Sequence, residues 1–526
     1  MVHSKPALPA GHGEVLTRPA FDQWASMVEA NRILASGWVF DVAGVSVAGV
    51  RSLARREALG LAAEFSAKLG VSVKTPGDPE APIVMTGHQP ELYHPGVWIK
   101  DFLLQRLADE TGATALDLVV DTDGFDVLAV SSPCMTPGVS RCQQYLAVGG
   151  EEACYAGSPV PFKRELDDFC SASDSNLASL SAPAIRRHFS AFCEQLRSAA
   201  ADSDNLAELV TIARRRYEAQ AGTDYLELPM TRLATSRAWL TFVADIALSA
   251  QRFSAAYNAA LTEFRVVNKT RSSAQPFPDL MADDGIVELP LWRIVAGHRR
   301  SVRVEPLPSG GARIVDAAGE TVVELPADGP AAVEMLLESG ELFAPKALAL
   351  TLFVRIFASD LMIHGVGGGR YDLVTDGVCR RYFGVEPPAY AVASITMYLP
   401  LGAHIVSEEE VTTAKERLNR LDHNPDELLG EVDFDSAEEQ SRAAALAAEK
   451  NSLVSIISAP DADKKTLGIR IREVNKELSL LLAPLKSELG AQLASLDSQF
   501  AASEILTDRS YPFCFWSPEE VADKAR

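Results

Sequence analysis

Four short stretches of this 526-residue chain carry side chains whose types and spacing could do chemistry. Thr86-Gly-His-Gln-Pro90 sets Gly87, which allows close backbone approach, beside the imidazole of His88 and the amide of Gln89. An imidazole can donate to a phosphate or leaving-group oxygen without adding a fixed charge. The competing reading is a turn whose histidine merely caps the next helix. Asp121-Thr-Asp-Gly-Phe-Asp126 supplies carboxylates, Asp121 and Asp123 foremost, that could hold Mg2+, orient an amine or act as a base. A plain acidic turn would look the same. Gly365-Val-Gly-Gly-Gly-Arg-Tyr-Asp372 lacks the Gly-Lys-Ser/Thr ending of a Walker A loop. Its consecutive glycines Gly367, Gly368 and Gly369, just ahead of a helix, could still present backbone N–H groups to an anion, or form only a flexible turn. Arg293-Ile-Val-Ala-Gly-His-Arg-Arg-Ser-Val-Arg303 holds four arginines and no acid, so Arg299 and Arg300 are candidates to grip an anion, against the alternative of a solvated sheet face. No spacing suits a transition metal, so no metal ligand is assigned; His298 and His364 stand apart in sequence and read as structural.

These residues need elements to hold them. Ala81-Pro-Ile-Val-Met is a short apolar run, Thr86–Pro90 punctuates it, helical spacing fills 97–109, and a second apolar run from Leu116 ends at Asp121. Strand, loop, helix, strand is a βαβ pattern, and ligands in open α/β sheets sit outside the strands' carboxyl ends. Residues 21–70 are helical by pattern, whereas 1–18 read as extended or frayed. The chain then divides into a first half of the core (1–130), connecting insertions that are helical and then a β meander over 285–325 (131–344), and a second half of the core with the glycine loop (345–405). A helical segment (406–508) and a tail (509–526) follow. Leu467, Ile471, Val474, Leu478, Leu481 and Leu485 follow a heptad seam, and with the helix near 437–457 they predict an antiparallel coiled-coil hairpin, packed within the chain or against a second copy.

Composition sets limits. Apolar residues are 47% and charged residues 23%, as in globular proteins, and the net charge is −22. Such acidity excludes general nucleic-acid binding and docking on an anionic membrane, but not a small anion in a local basic pocket. Residues 408–439 alone hold 12 acids and 3 bases. Seven cysteines without C-x-x-C spacing indicate neither a disulfide framework nor a thiolate zinc site. The N-terminus lacks a signal-peptide pattern, and Arg355 and Asp360 interrupt the apolar stretch 347–366, which reads as one buried helix. A cytoplasmic protein is expected.

Taken in order, Thr86-Gly-His-Gln-Pro90 with Lys100 on the next helix, the 121–126 loop, Phe343-Ala-Pro-Lys-Ala-Leu348, the 365–372 glycine loop and the helical hairpin resemble the bacillithiol biosynthesis cysteine-adding enzyme family. The match is densest over 83–126 and 343–384. The resemblance implies an α/β fold with a Rossmann-like core split by insertions, related to class I nucleotidyltransferases, and a coiled coil that makes a homodimer. It implies a ligase joining cysteine to a glucosaminyl-malate acceptor, with ATP and Mg2+ as candidate cofactors and a small anion and an amino acid as partners. By the same resemblance Gly87, His88 and Gln89 belong with the glycine loop in one nucleotide cleft, and Lys100, Arg370, Tyr371 and Asp372 line the substrate. Here Arg370-Tyr-Asp-Leu-Val-Thr-Asp376 replaces the family's Glu-Ile-x-Tyr pattern, and no Lys-Met-Ser-Lys-Ser motif is present, so the chain is a divergent branch. A non-catalytic dimeric ligand-binding scaffold and a nucleotidyltransferase acting on another small molecule are the alternatives.

Overall fold

The computed structural model describes residues 8–135, 138–150, 152–272, 275–402 and 406–526. These form two compact units, one of residues up to 134 with 141–399 and 509–526, the other of 400–508 with the short 135–140 segment.

The first unit is mixed α/β around a six-stranded sheet of β1 (Glu14–Arg18), β2 (Ile83–His88), β3 (Thr114–Val119), β4 (Leu226–Pro229), β5 (Leu361–His364) and β6 (Ala391–Thr396). The spatial order is β1-β6-β5-β2-β3-β4, all parallel except for β1. From β2 the chain crosses through α2 (Pro95–Thr111) to β3, and from β5 it crosses through α4 (Val366–Tyr382) to β6 on the other side. Strand order therefore reverses between β5 and β2. Side chains alternate across the pleat. Ile83, Met85, Leu116, Leu118, Leu226 and Leu228 join α1 (Val47–Ser66) and α4 in the main apolar core. The intervening positions, including Asp117 and Glu227, turn to α2 and α3 (Leu206–Glu218). Pro95 opens α2 behind the His94 N-cap and Gly112 closes it at φ 67°, a backbone that glycine alone adopts freely.

Several expectations need correction. Residues 14–18, in the stretch read as extended or frayed, are extended and form the antiparallel edge strand β1, whereas the insertion read as helical contains β4, a strand of the main sheet. The apolar run 347–366 is not one helix. It is Ala347–Phe353, a π-helical turn Val354–Ala358, and then β5, because a run buried on all sides carries no periodicity to separate helix from strand. Asp360 marks the break: it accepts from the Ile83 backbone N–H and pairs with Arg51 and Arg55. Cys134 and Cys142, given no partner above, are joined by a disulfide across the ribbon Val127–Cys134/Ser140–Val148. A hairpin brings their Cα atoms to 5.9 Å without any C-x-x-C spacing. The meander is a sheet whose central strands are Ile286–Val295 and His298–Pro306, extended at one edge by Leu342–Pro345. The tail packs in this unit: the Phe513 N–H donates to the Tyr93 carbonyl, and the Phe513 ring lies 5.0 Å from Trp98.

In the second unit α5 (Glu408–His423) packs on α8 (Ala483–Leu506), and α6 (Ala437–Ile457) on α7 (Lys464–Leu481). The pairs Arg470–Glu449 and Arg442–Glu477 run antiparallel. The heptad seam read from Leu467 to Leu485 crosses a helix boundary, since α7 ends at Leu481 and α8 begins at Ala483 ahead of Pro484. Among the described residues, no helix is long and apolar enough to cross a membrane.

Beneath the sheet, Arg214 pairs with Asp101 and Asp117 at 3.0 Å each, Glu218 at 3.2 Å and Glu227 at 2.7 Å, all buried. Removing one side of such a cluster strands buried charge and costs about 3–5 kcal/mol, whereas an exposed pair contributes about 0–1 kcal/mol. Arg214→Met should lower stability in urea unfolding by the larger amount; Arg186→Met, which breaks the exposed pair with Asp174, should change it little.

Candidate functional site

His88 ends β2, at the carboxyl edge beside the reversal of strand order. Its Nδ1 lies 3.1 Å from the Gln89 carbonyl oxygen, which can only accept, so the proton sits on Nδ1 and Nε2 is left as an acceptor. Burial, reinforced by the Lys100 charge, pushes the imidazole down to about 3. The sequence reading made His88 a donor to phosphate; here it is neutral, with its free nitrogen accepting. Tyr93 packs edge-on against the ring at 5.1 Å.

Gln89 Nε2 donates to Asp123 at 2.8 Å, and Arg299 Nη1 donates to the same carboxylate at 2.7 Å. Arg299 lies 5.1 Å from the Trp292 ring, and its buried Nε has no hydrogen-bond partner. A side chain at Gly124 would collide with this guanidinium, so that glycine is what admits Arg299 from the meander. Asp121 is committed elsewhere. It accepts from the Thr231 N–H at 2.9 Å and from Thr231 Oγ1 at 2.5 Å, clamping the end of β3 to the turn after β4, and burial raises it to about 6.

Other candidates separate. Arg300 is half-exposed and pairs with Glu152; adjacent strand residues face opposite ways, so it cannot share an anion with Arg299. Lys100 is buried and donates to Thr86 Oγ1 at 3.1 Å and the Gly87 carbonyl at 2.9 Å, behind the site rather than in it. A Cβ at Gly87 would stand 3.0 Å from the Leu118 carbonyl, so this glycine serves the close approach of β2 and β3. The glycine loop is in fact the first turn of α4, N-capped by Gly365 without a side-chain bond. Gly367 faces open space, Gly368 lies by His364, and Gly369 packs on Val392. Tyr371 packs on Phe264 and Phe277. Asp372 is buried 2.6 Å from Arg355 and 3.0 Å from His364 Nε2, and Arg355 holds its carboxyl well below the usual range despite burial. Arg370 borders a different cleft.

His364, set aside above, ends β5 on the other flank of the reversal, and Thr86 Oγ1 donates to the carbonyl of its neighbour Ile363. The available signal was its position directly before the glycine run, with an aspartate eight residues on. Among the described residues, no group of three or more His, Cys, Asp or Glu side chains is placed to hold a metal ion. Compared with known proteins, the chain matches no family model and no curated protein.

A histidine at 6.5 when unfolded and about 3 when folded binds fewer protons in the native state. Its contribution is intact above pH 6.5 and is lost as pH falls toward 3, by at most about 1.4 kcal/mol per pH unit. The His88 ring nitrogens should keep neutral-imidazole 15N shifts from pH 8 to 5, and His88→Gln should flatten the stability loss over pH 6 to 4.

Proposed function

We propose that the protein is a ligase-type enzyme joining an amino-acid amine, cysteine-like, to a small carboxylate-bearing acceptor, as in low-molecular-weight thiol biosynthesis. On this reading the core is Rossmann-like and the chain is a divergent relative of the bacillithiol cysteine-adding enzymes. One observation carries it: Gly87-His88 and the α4 N-terminus flank the reversal of strand order, where open α/β sheets bind ligands, with Arg299 and Asp123 alongside.

Each side chain then has a task. His88 Nε2 accepts an N–H of the incoming amine and aims its lone pair at the acceptor carbon. The partly exposed Arg299 guanidinium donates to the acceptor's anionic end, while Gln89 and Asp123 hold it in place. The first turn of α4 has no side-chain cap, and its N–H groups would take a phosphate, with Gly367 leaving open space and Gly368 lying by His364. ATP, when bound, supplies the group that activates the carboxylate. Asp121 and Asp123 are already bonded to Thr231, Gln89 and Arg299, which does not fit a protein-held Mg2+, and no step is assigned to it. The helical second unit, read as a coiled coil, is the dimerisation arm; Leu480, Ile456 and Ile469 are exposed there.

Incubation with ATP, cysteine and glucosaminyl-malate should yield the amide, detected by mass spectrometry. His88→Ala should cut turnover about 100-fold, and Arg299→Met should act mainly on the acceptor KM. Pyrophosphate release without amide would point to a nucleotidyltransferase; no conversion and no thermal shift with any component would leave a scaffold. Mass photometry should find a dimer, and a pure monomer would refute the arm's role.

A further inference from the structure

The flank of α4 that faces β6 borders a cleft of about 390 Å³ away from His88 and Asp123. Its charged lining is Arg18, Arg370, Asp376 and Arg380. Two of these are already neutralised: Asp376 pairs with Arg355 at 2.7 Å, and Arg380 with Glu386 at 3.0 Å. Arg18 and Arg370 form no ion pair among the described residues, and the buried Nε of Arg370 has no hydrogen-bond partner. In a chain of net charge −22, two uncompensated guanidiniums on one small cleft are a specific arrangement. The remaining side-chain walls are apolar, with Pro19, Pro388, Tyr390 and Val392 among them, and Val366 and Gly369 of the first turn of α4 border one end. The prolines offer no N–H donor, so the two unpaired arginines are the charged donors that face the cleft.

We propose that this cleft is a second binding site, separate from the His88–Asp123 site, for a small carboxylate with an aromatic or branched apolar body. A guanidinium matches a carboxylate through paired N–H donors, and a cleft of this volume suits a compact ligand whose body lies on Tyr390 and the proline rings. The site also touches the proposed reaction edge. Tyr390 Oη donates to the Gly369 carbonyl at 2.6 Å, and its ring meets His364 edge-on at 5.2 Å. An occupant stacked on Tyr390 presses on the side chain that abuts His364.

The test is ligand-observed NMR titration of the full chain with benzoate, benzamide, phenyl phosphate and inorganic phosphate. Benzoate should bind at least tenfold more tightly than benzamide, which has the body without the charge. Arg370→Met keeps the apolar stem near Phe264, 5.9 Å from the guanidinium carbon, and should weaken benzoate at least tenfold. Arg370→Lys, which keeps charge and loses the fork, should fall between. His88→Ala should bind benzoate like the parent, so this result is independent of whether the proposed ligase turns over. The proposal is overturned if benzoate fails to bind, if Arg370→Met with a parental Tm binds it equally, or if His88→Ala abolishes binding. Tighter binding of phenyl phosphate than of benzoate overturns the carboxylate head group; inorganic phosphate binding as well as phenyl phosphate overturns the apolar body.

Discussion

The buried cluster around Arg214 is the constraint on which the carboxyl edge of the sheet depends. One guanidinium joins α2 through Asp101, β3 through Asp117, its own helix through Glu218, and β4 through Glu227. Arg215 adds pairs to Glu218 and Glu227, with its guanidinium 3.6 Å from the Tyr225 ring. Asp101, Asp117, Glu218 and Glu227 stand against Arg214, Arg215 and Lys100, so the acids outnumber the bases, and burial pushes Asp101 and Glu227 toward their protonated forms. Such a cluster is weak as a source of net stability, but sliding any one of these elements would part its acid from Arg214 and strand a buried charge. Its influence reaches the site through Lys100. The ammonium sits behind Gly87 and Thr86, holds the end of β2, and adds its charge to the burial that keeps His88 neutral.

A second set of ion pairs does for the late half of the core what Arg214 does for the early half. Arg355 joins Asp372 and Asp376 on α4 to the Pro388 carbonyl ahead of β6. Asp360 ties α1, through Arg51 and Arg55, to the start of both β5 and β2. Strands β2 and β5 are far apart in sequence, with the insertions between them, yet they are neighbours in the sheet. Charged residues at the strand starts and helix faces specify a pairing that apolar contacts alone would leave loosely selected.

This division explains what could be read from the sequence. The alternation of residues 286–305 and the strand-helix-strand pattern of 81–121 are local, and elements with those periods stand there. His88, Asp121 and Asp123 were placed at strand ends by the same local signal. Strands β1, β4 and β5 have only four or five residues each, too short to show a period. The fates of the arginines and of Lys100 were illegible for another reason. Local charge excess marks 293–303, but which arginine turns inward depends on strand phase, and Lys100 is claimed by Thr86 and Gly87 only once α2 docks. Cys134–Cys142 and the His364–Asp372 contact likewise depend on a hairpin and a helix start whose positions had to be known first.

Net charge is a poor guide to what such a protein binds, because recognition falls to donors that the fold leaves unspent. Most cations in the first unit are matched to acids within a few ångströms, as Arg293 is to Glu341 and Lys346 to Glu288. The acidic excess is concentrated in 408–439, on α5 and the start of α6 in the other unit. Besides the uncapped first turn of α4, the carboxyl edge keeps an acceptor on His88 and a buried donor on Arg299 that Asp123 does not use. An acceptor suits an amine N–H, and an isolated guanidinium donor suits a carboxylate oxygen. On the proposed ligase reading, that pair on neighbouring segments is what would bring an amine to a carboxylate, with Gln89 and Asp123 holding Arg299 in place.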